Sequence, residues 1–289
     1  MTALHRQSLS QCDWEFLLID SGSIQPLARF VDLTWHANAR HIREDLAGLT
    51  RARLRGIAES KGSILVFVDD DNLLDTDYLE RARDIAAERP AIGAWSGHTE
   101  GEFEENPPEW TRPYWGSLVI RPVSQDLWSN LPHLPETMPC GAGLCVRRSA
   151  ALRYAELHLN GQRPVTLDRD GASLMSAGDN DLAACACDLG MGVGVFKALR
   201  LTHLIPPARL REDYLEHLQE SIAFSAVLMR SFRSTECPRE RSLKNRIADA
   251  LRATLMNRRS RRMYKGVIRG ERRAVAYLRA RRGSRDAVT

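Results

Sequence analysis

The stretch at residues 63–68, "SILVFV", runs directly into Asp69, Asp70 and Asp71, and it restricts the fold more than any other part of the chain. A continuous run of branched and aromatic apolar residues suits a strand covered on both faces, inside an α/β sheet. Three like charges at its end repel one another unless a cation or hydrogen-bond donors gather there. Open α/β sheets bind ligands at the carboxyl ends of their strands, so the triplet marks a binding crevice. Capping the next helix needs only one carboxylate, and Asp75 and Asp77 are placed for that. A metal or nucleotide role is therefore expected of the triplet. Mg²⁺ or Mn²⁺ takes one or two carboxylates and leaves its other positions to water and phosphate oxygens.

The flanking sequence repeats the strand–helix alternation. Residues 14–20, "WEFLLID", form a second apolar run that ends on an aspartate, Asp20, before the turn residues "SGS". Residues 45–62 have helical character and close at Lys61-Gly62, and a helix follows Asp75 with Leu79, Ala82 and Ala86 on one face and Pro90 as its stop. Residues 140–157 read as a strand and then a helix capped near Ser149. Residues 176–206 read as an acidic helix start, a glycine-rich turn and a strand ending at His203, and 210–232 as a further helix. The expected fold is α/β, an open and mostly parallel sheet flanked by helices. Residues 98–122, acidic and then rich in Pro and Trp, are expected to form a long functional surface excursion.

The 289 residues suffice for one large α/β domain or two small ones. No apolar run is long enough to span a bilayer, and the N-terminus lacks an apolar signal core. Six cysteines, at 12, 140, 145, 185, 187 and 237, form no C-x-x-C pair, which fits reduced thiols in a cytoplasmic protein. The net charge of +4 hides an asymmetry, because residues 258–285 carry +11 and the rest of the chain −7.

Four segments together carry a resemblance: "SLSQCDWEFLLIDSGS", "GLTRARLRGIAESKGSILVFVDDDN", "CGAGLCVRRSA" and "GDNDLA". In this order and spacing they resemble family 2 glycosyltransferases of the GT-A fold, over about residues 4 to 210. The resemblance implies a Rossmann-like domain that binds a nucleotide-sugar and a divalent cation. By its motifs Asp20 contacts the nucleotide base, Asp69 and Asp70 lie on the ribose side, and Asp71 is the metal ligand. Arg53, in "ARLRGI", reaches the nucleotide, although Leu54 stands where the family has Asn. Gly141 and Ala142, in "CGAG", join the nucleotide-sugar set, and His203 is a second metal ligand. "GDNDLA" resembles "E-D-x-D-L" and makes Asp179 the catalytic base, with Asp181 as the alternative base on the acceptor side. Family members open with a strand of the form "V-S-V-V-I-P-T-Y-N", and this sequence begins about where the following helix would. A central strand is then expected to be missing, through a mis-called or trimmed start or a truncated copy.

The chemistry assigned to Asp179 is that of a general base, since an acceptor hydroxyl attacking an anomeric carbon must lose its proton. A carboxylate in a first helical turn equally serves as a cap favoured by the helix dipole, and the two acids can divide these roles. Trp110 and Trp115 either stack on a sugar ring of the acceptor or pin their loop to the core. In the basic tail, Val267, Ile268, Val275 and Leu278 between arginines suggest an amphipathic helix on anionic lipid, with nucleic-acid binding as the competing class.

The expected organisation is a nucleotide-sugar-binding half at 1–97, an acceptor-binding and catalytic half at 98–209, and a helical region with a basic tail at 210–289. The expected function is metal-dependent, inverting transfer of a sugar from a nucleotide-sugar to a hydroxyl of a glycan, lipid-linked or envelope acceptor. It is placed in the cytoplasm or on the inner face of the membrane, with no nucleic-acid partner. The alternatives are a non-catalytic or truncated relative, or a nucleic-acid-binding protein acting through its tail.

Overall fold

The computed structural model describes residues 1–163, 165–169, 174–234 and 240–286, with side chains up to Arg281. These residues fall into two compact units, Met1–Thr166 with Gly178–Pro206, and Leu167–Ala177 with Pro207–Thr289.

The first unit opens with a short helix, α1 (Thr2–His5). Strand β1 (Phe16–Ser21) pairs in parallel with β2 (Ala39–Glu44), Asp20 lying opposite Arg43. Helix α2 (Leu49–Glu59) leads to β3 (Ile64–Phe67), β4 (Asn72–Leu74), α3 (Tyr78–Glu88) and the long β5 (Ile92–Phe103). After β6 (Leu127–Ser129) come β7 (Leu144–Arg147), α4 (Arg148–Leu159), α5 (Gly178–Asp188) and β8 (Gly192–Ile205). The main sheet has the order β3-β7-β5-β8-β4, and β6 joins the first half of β8. The two longest strands, β5 and β8, run parallel, and β3 shares their direction. The reversed members are β7, between β3 and β5, and the short β4 and β6. This is the mixed α/β architecture expected of the sequence.

Alternation along the strands divides the core into two faces. Trp95 and Cys145 pack with Tyr78, Leu79, Ala82 and Ile85 of α3. Ala94, Leu144 and Val146, equally buried, point to the other face, where α4 and α5 pack on β7 and β5. Among the described residues β1 pairs only with β2, and β3 only with β7, so the strands form two separate sheets.

Three local expectations change. Asp77 stands at the N-cap of α3 without a side-chain cap bond, and its carboxylate instead pairs with Arg81, 3.1 Å away. Asp75 contributes its backbone carbonyl, which accepts from Tyr78 N. The excursion at 98–122 begins as the continuation of β5 and then forms a 3₁₀ helix, Glu109–Leu118. None of the described cysteines forms a disulfide, and Cys237 lies outside the described residues.

The second unit contains α6 (Glu212–Arg233), α7 (Leu243–Thr254) and α8 (Arg258–Asp286). The basic segment is therefore a folded helix rather than a loose tail. It packs along α6, burying Met263, Ala274 and Val275. Glu212, Glu216 and Glu220 recur every fourth residue on α6 and meet Arg259, Arg262, Arg269 and Arg273 of α8 in a ladder of ion pairs. An exposed pair alone contributes roughly 0–1 kcal/mol, and the network's value is to fix the register of the two helices.

Gly143 fixes the turn into β7. Its φ is +66°, a conformation L side chains avoid, and a Cβ there would lie 2.3 Å from the hydroxyl of fully buried Tyr78. That hydroxyl donates to the Gly143 carbonyl at 2.7 Å. Gly143→Ala is expected to cost at least about 2 kcal/mol in denaturant unfolding, through strain and loss of this bond. Gly116→Ala, where a Cβ meets nothing within 4 Å, is expected to change stability by less than about 0.5 kcal/mol.

Candidate active site

The aspartate triplet and Gly141 with Ala142 lie at one end of the main sheet, where β3 finishes and β7 begins, with Phe67 opposite Leu144. Asp69 and Asp70 leave β3 exposed, while Asp71 is half-buried. The antiparallel pairing of β4 with β8 sets Asn72 opposite His203, and so carries Asp71 to the histidine. His203 Nε2 lies 3.3 Å from Asp71 Oδ2. The chain around Asp71 is held as well, since its carbonyl accepts from Leu204 N at 2.9 Å and its Oδ1 accepts from Asn72 Nδ2 at 2.9 Å.

The other nitrogen of His203 decides the chemistry of this pair. Nδ1 lies 2.9 Å from the carbonyl oxygen of Leu118, at the end of the 3₁₀ helix. A carbonyl only accepts, so Nδ1 carries a proton and Nε2 is the nitrogen turned to the carboxylate. Nε2 can meet that carboxylate through a proton or across a cation. A carbonyl behind one imidazole nitrogen also orients a metal-ligating histidine through the other. The donor set, one carboxylate and one imidazole, fits Mn²⁺ or Mg²⁺ completed by phosphate and water oxygens. No cluster of three or more His, Cys, Asp or Glu placed for a metal ion occurs among the described residues. Beside them Asn72 Oδ1 is buried without a hydrogen-bond partner among the described residues.

A second group forms at Gly141. On α2, Thr50, Arg53 and Ile57 share the buried face at helical spacing, which turns Arg53 inward. A Cβ on Gly141 would lie 3.0 Å from Asp179 Oδ2 and 3.3 Å from Arg53 Nη2. Three of the sequence candidates thus meet at one point, and glycine is what leaves them room. Ala142 follows, buried against the core. Asp179 sits in the first turn of α5, its Oδ1 accepting from Asn180 N at 2.8 Å. Its negative charge adds to the effect of burial, which is the larger cause, in raising the pKa of the Cys140 thiol.

Asp181 follows a different course. Residues two apart on a helix point to different sides, and Asp181 turns into the protein, where it is 2% exposed. There Arg163 grips it with two bonds, Nε to Oδ2 at 2.7 Å and Nη2 to Oδ1 at 3.1 Å. The two form a buried ion pair.

Asp20, at the end of β1, is 5% exposed. Its oxygens accept from Ser23 N at 3.2 Å, Leu27 N at 3.0 Å and Arg43 at 2.7 Å. Burial alone would raise its pKa, but these donors outweigh it and hold the carboxyl well below the usual range. The carboxylate organises the turn at 22–27. Trp115 packs on Phe103 with ring centroids 4.9 Å apart and donates to Thr111 at 3.1 Å, which pins the 3₁₀ helix to the end of β5. Trp110 meets Tyr114 edge-on and stays half-buried.

Sequence reasoning missed four participants. Arg43 lies on β2, an edge strand with one buried residue, Ile42, and too weak an apolar pattern to read. The Leu118 carbonyl has no side-chain signal at all. Arg163 sits in a connection, and Asn72 was passed over beside three aspartates.

The buried Asp181–Arg163 pair yields a stability test. Asp181→Asn removes the charge that grips the buried Arg163 guanidinium through two bonds, which is expected to cost roughly 3–5 kcal/mol in chemical denaturation. Asp179→Asn keeps its size and capping capacity and is expected to change stability by less than about 1 kcal/mol.

The profile of Glycosyl transferase family 2 matches residues 1–153, just over half of the chain. Crystal structures of S. aureus TarS share the fold. For TarS 1–349 the TM-score is 0.50 at 12% identity, covering 94% of this chain and 85% of that one. For the same TarS segment in complex with UDP the TM-score is 0.50 at 13% identity, covering 96% and 86%. At such identities the likeness speaks for the fold alone. No curated protein matches the sequence. With the family profile covering the strands that hold Asp20, the aspartate triplet and Gly141, the chain belongs to glycosyl transferase family 2.

Proposed function

We propose that the protein transfers a sugar, with inversion, from a nucleoside-diphosphate sugar to an acceptor hydroxyl, using Mn²⁺ or Mg²⁺ held by Asp71 and His203. The observation that carries this reading is the His203 imidazole, whose Nδ1 is committed to the Leu118 carbonyl while Nε2 faces Asp71 at 3.3 Å. The fold shared with a TarS structure in complex with UDP supports a uridine diphosphate donor. When bound, the cation supplies positive charge against the diphosphate leaving group.

The chain's own residues do the rest. Asp69 and Asp70, exposed beside the metal pair, are open to the ribose hydroxyls. Asp20, with Arg43, holds the turn at 22–27 that edges the base, so its role is to position that turn. Arg53 brings a cation to the Gly141 floor, where it steadies the negative charge of the donor. Asp179, on the same floor, takes the proton of the attacking hydroxyl. The leaving diphosphate needs no proton once its charge is compensated. On the acceptor side, Trp110 offers an aromatic edge to a glycan, lipid-linked or envelope acceptor, while Trp115 keeps the 3₁₀ helix in place. The reaction is placed in the cytoplasm.

Asp179→Asn is expected to lower turnover about 10²- to 10⁴-fold with UDP affinity unchanged. Near-normal transfer by this variant would refute the base assignment. In calorimetry, Asp71→Asn and His203→Ala are each expected to remove most of the Mn²⁺-dependent gain in UDP affinity. Unchanged Mn²⁺ dependence in both would refute the metal assignment.

A further inference from the structure

Helix α7 displays large apolar side chains in the open. Leu243, Ile247, Leu251 and, just past its end, Leu255 are 70%, 54%, 63% and 90% exposed. They recur every fourth residue and so form one slowly winding stripe. The buried residues of the helix, Asp249 and Ala253, lie on the opposite side. Asp249 is fastened there by Arg241 at 2.8 Å and by the Tyr264 hydroxyl at 2.6 Å. The helix is thus anchored by a polar group and turns its apolar face outward, the reverse of an ordinary surface helix. A continuous exposed apolar stripe of this kind marks a docking surface.

The charges around the stripe identify its occupant. Lys244 lies on the stripe's own side and Arg246 on its flank, and neither forms an ion pair among the described residues. Arg246 also lines a cavity of about 1200 Å³ among α6, α7 and α8, which borders the anchored side of α7 at Asp249 and Ala253, away from the stripe. Other arginines of α8 are neutralised by the glutamates of α6. Lys244 and Arg246, exposed beside the stripe, are therefore cations that no ion pair among the described residues uses.

We propose that α7 docks the protein on an anionic lipid surface. The helix lies in the plane of the interface, with Leu243, Ile247, Leu251 and Leu255 at the acyl boundary. Lys244 and Arg246 stand at the level of the lipid phosphates. A second copy docking through the same face would bring identical cations together, which like-charge repulsion opposes. A nucleic acid would use the cations and leave the leucines in water.

The test is flotation of the full chain with phosphatidylcholine vesicles, with and without about one third phosphatidylglycerol. Binding is expected only to the anionic vesicles and is expected to fall as salt rises. Ile247→Ser combined with Leu251→Ser, and separately Lys244→Glu combined with Arg246→Glu, should each weaken binding at least about tenfold. Both pairs of positions are exposed, so thermal midpoints should stay within a degree or two of the parent's. Failure of the parent protein to bind anionic vesicles would overturn the proposal, as would undiminished binding by the serine variant. Light scattering that shows a dimer broken by the serine variant would overturn it in favour of a second copy. Retention on RNA by the parent and the serine variant alike, without vesicle binding, would overturn it in favour of nucleic acid.

Discussion

The contact on which the site depends is the hydrogen bond from His203 Nδ1 to the Leu118 carbonyl. It joins the 3₁₀ helix to β8 and selects the tautomer that leaves Nε2 facing Asp71. The register of β4 on β8 does the other half, because Asn72 opposite His203 puts Asp71 within reach of the ring. A slip of one residue in that short pairing would send the carboxylate to the other face of the sheet. The three residues of β4 are thus a small element with a large consequence. They are held at their far end by the buried Leu74, packed in the core beside Tyr78 and Leu79.

Much of this was legible in the sequence because it followed from strong local patterns. A continuous apolar run ending on aspartates gave β3 and its acidic end, and helical spacing gave α3 with Leu79, Ala82 and Ala86 inside. The convergence of Arg53, Gly141 and Asp179 followed from family-like motifs whose spacing the fold respects. What stayed hidden is what no local pattern encodes. A main-chain carbonyl 85 positions away in sequence cannot announce itself as the partner of His203. The difference in surroundings between Asp179 and Asp181 was equally hidden. It depends on the one-helix geometry that turns residues two apart to different sides, and on Arg163 waiting in a separate connection. Asp20 shows the same limit, because its place at a strand end was evident and its three donors were not.

The second unit shows how misleading composition is without packing. Twelve basic residues at 258–285 suggest an amphipathic helix turned to anionic lipid, yet the acidic spacing of Glu212, Glu216 and Glu220 packs that helix along α6. The apolar residues between its arginines are partly consumed in that packing, Val275 among them. The exposed apolar stripe lies on α7, which attracted no attention in the sequence because its four residues sit among Lys, Arg and Asn. Among the described residues no helix is long and apolar enough to cross a membrane.

The central claim is that Asp71 and His203 hold a divalent cation together, with the imidazole bound through Nε2. Pulsed electron paramagnetic resonance of Mn²⁺ added with UDP reads this directly, since a ligating imidazole nitrogen leaves its own hyperfine coupling on the metal signal. The account predicts a nitrogen coupling in the parent protein that vanishes in His203→Gln while the protein stays folded. A Mn²⁺–UDP complex that forms on the parent protein without any nitrogen coupling would contradict it, as would a coupling that survives the loss of His203.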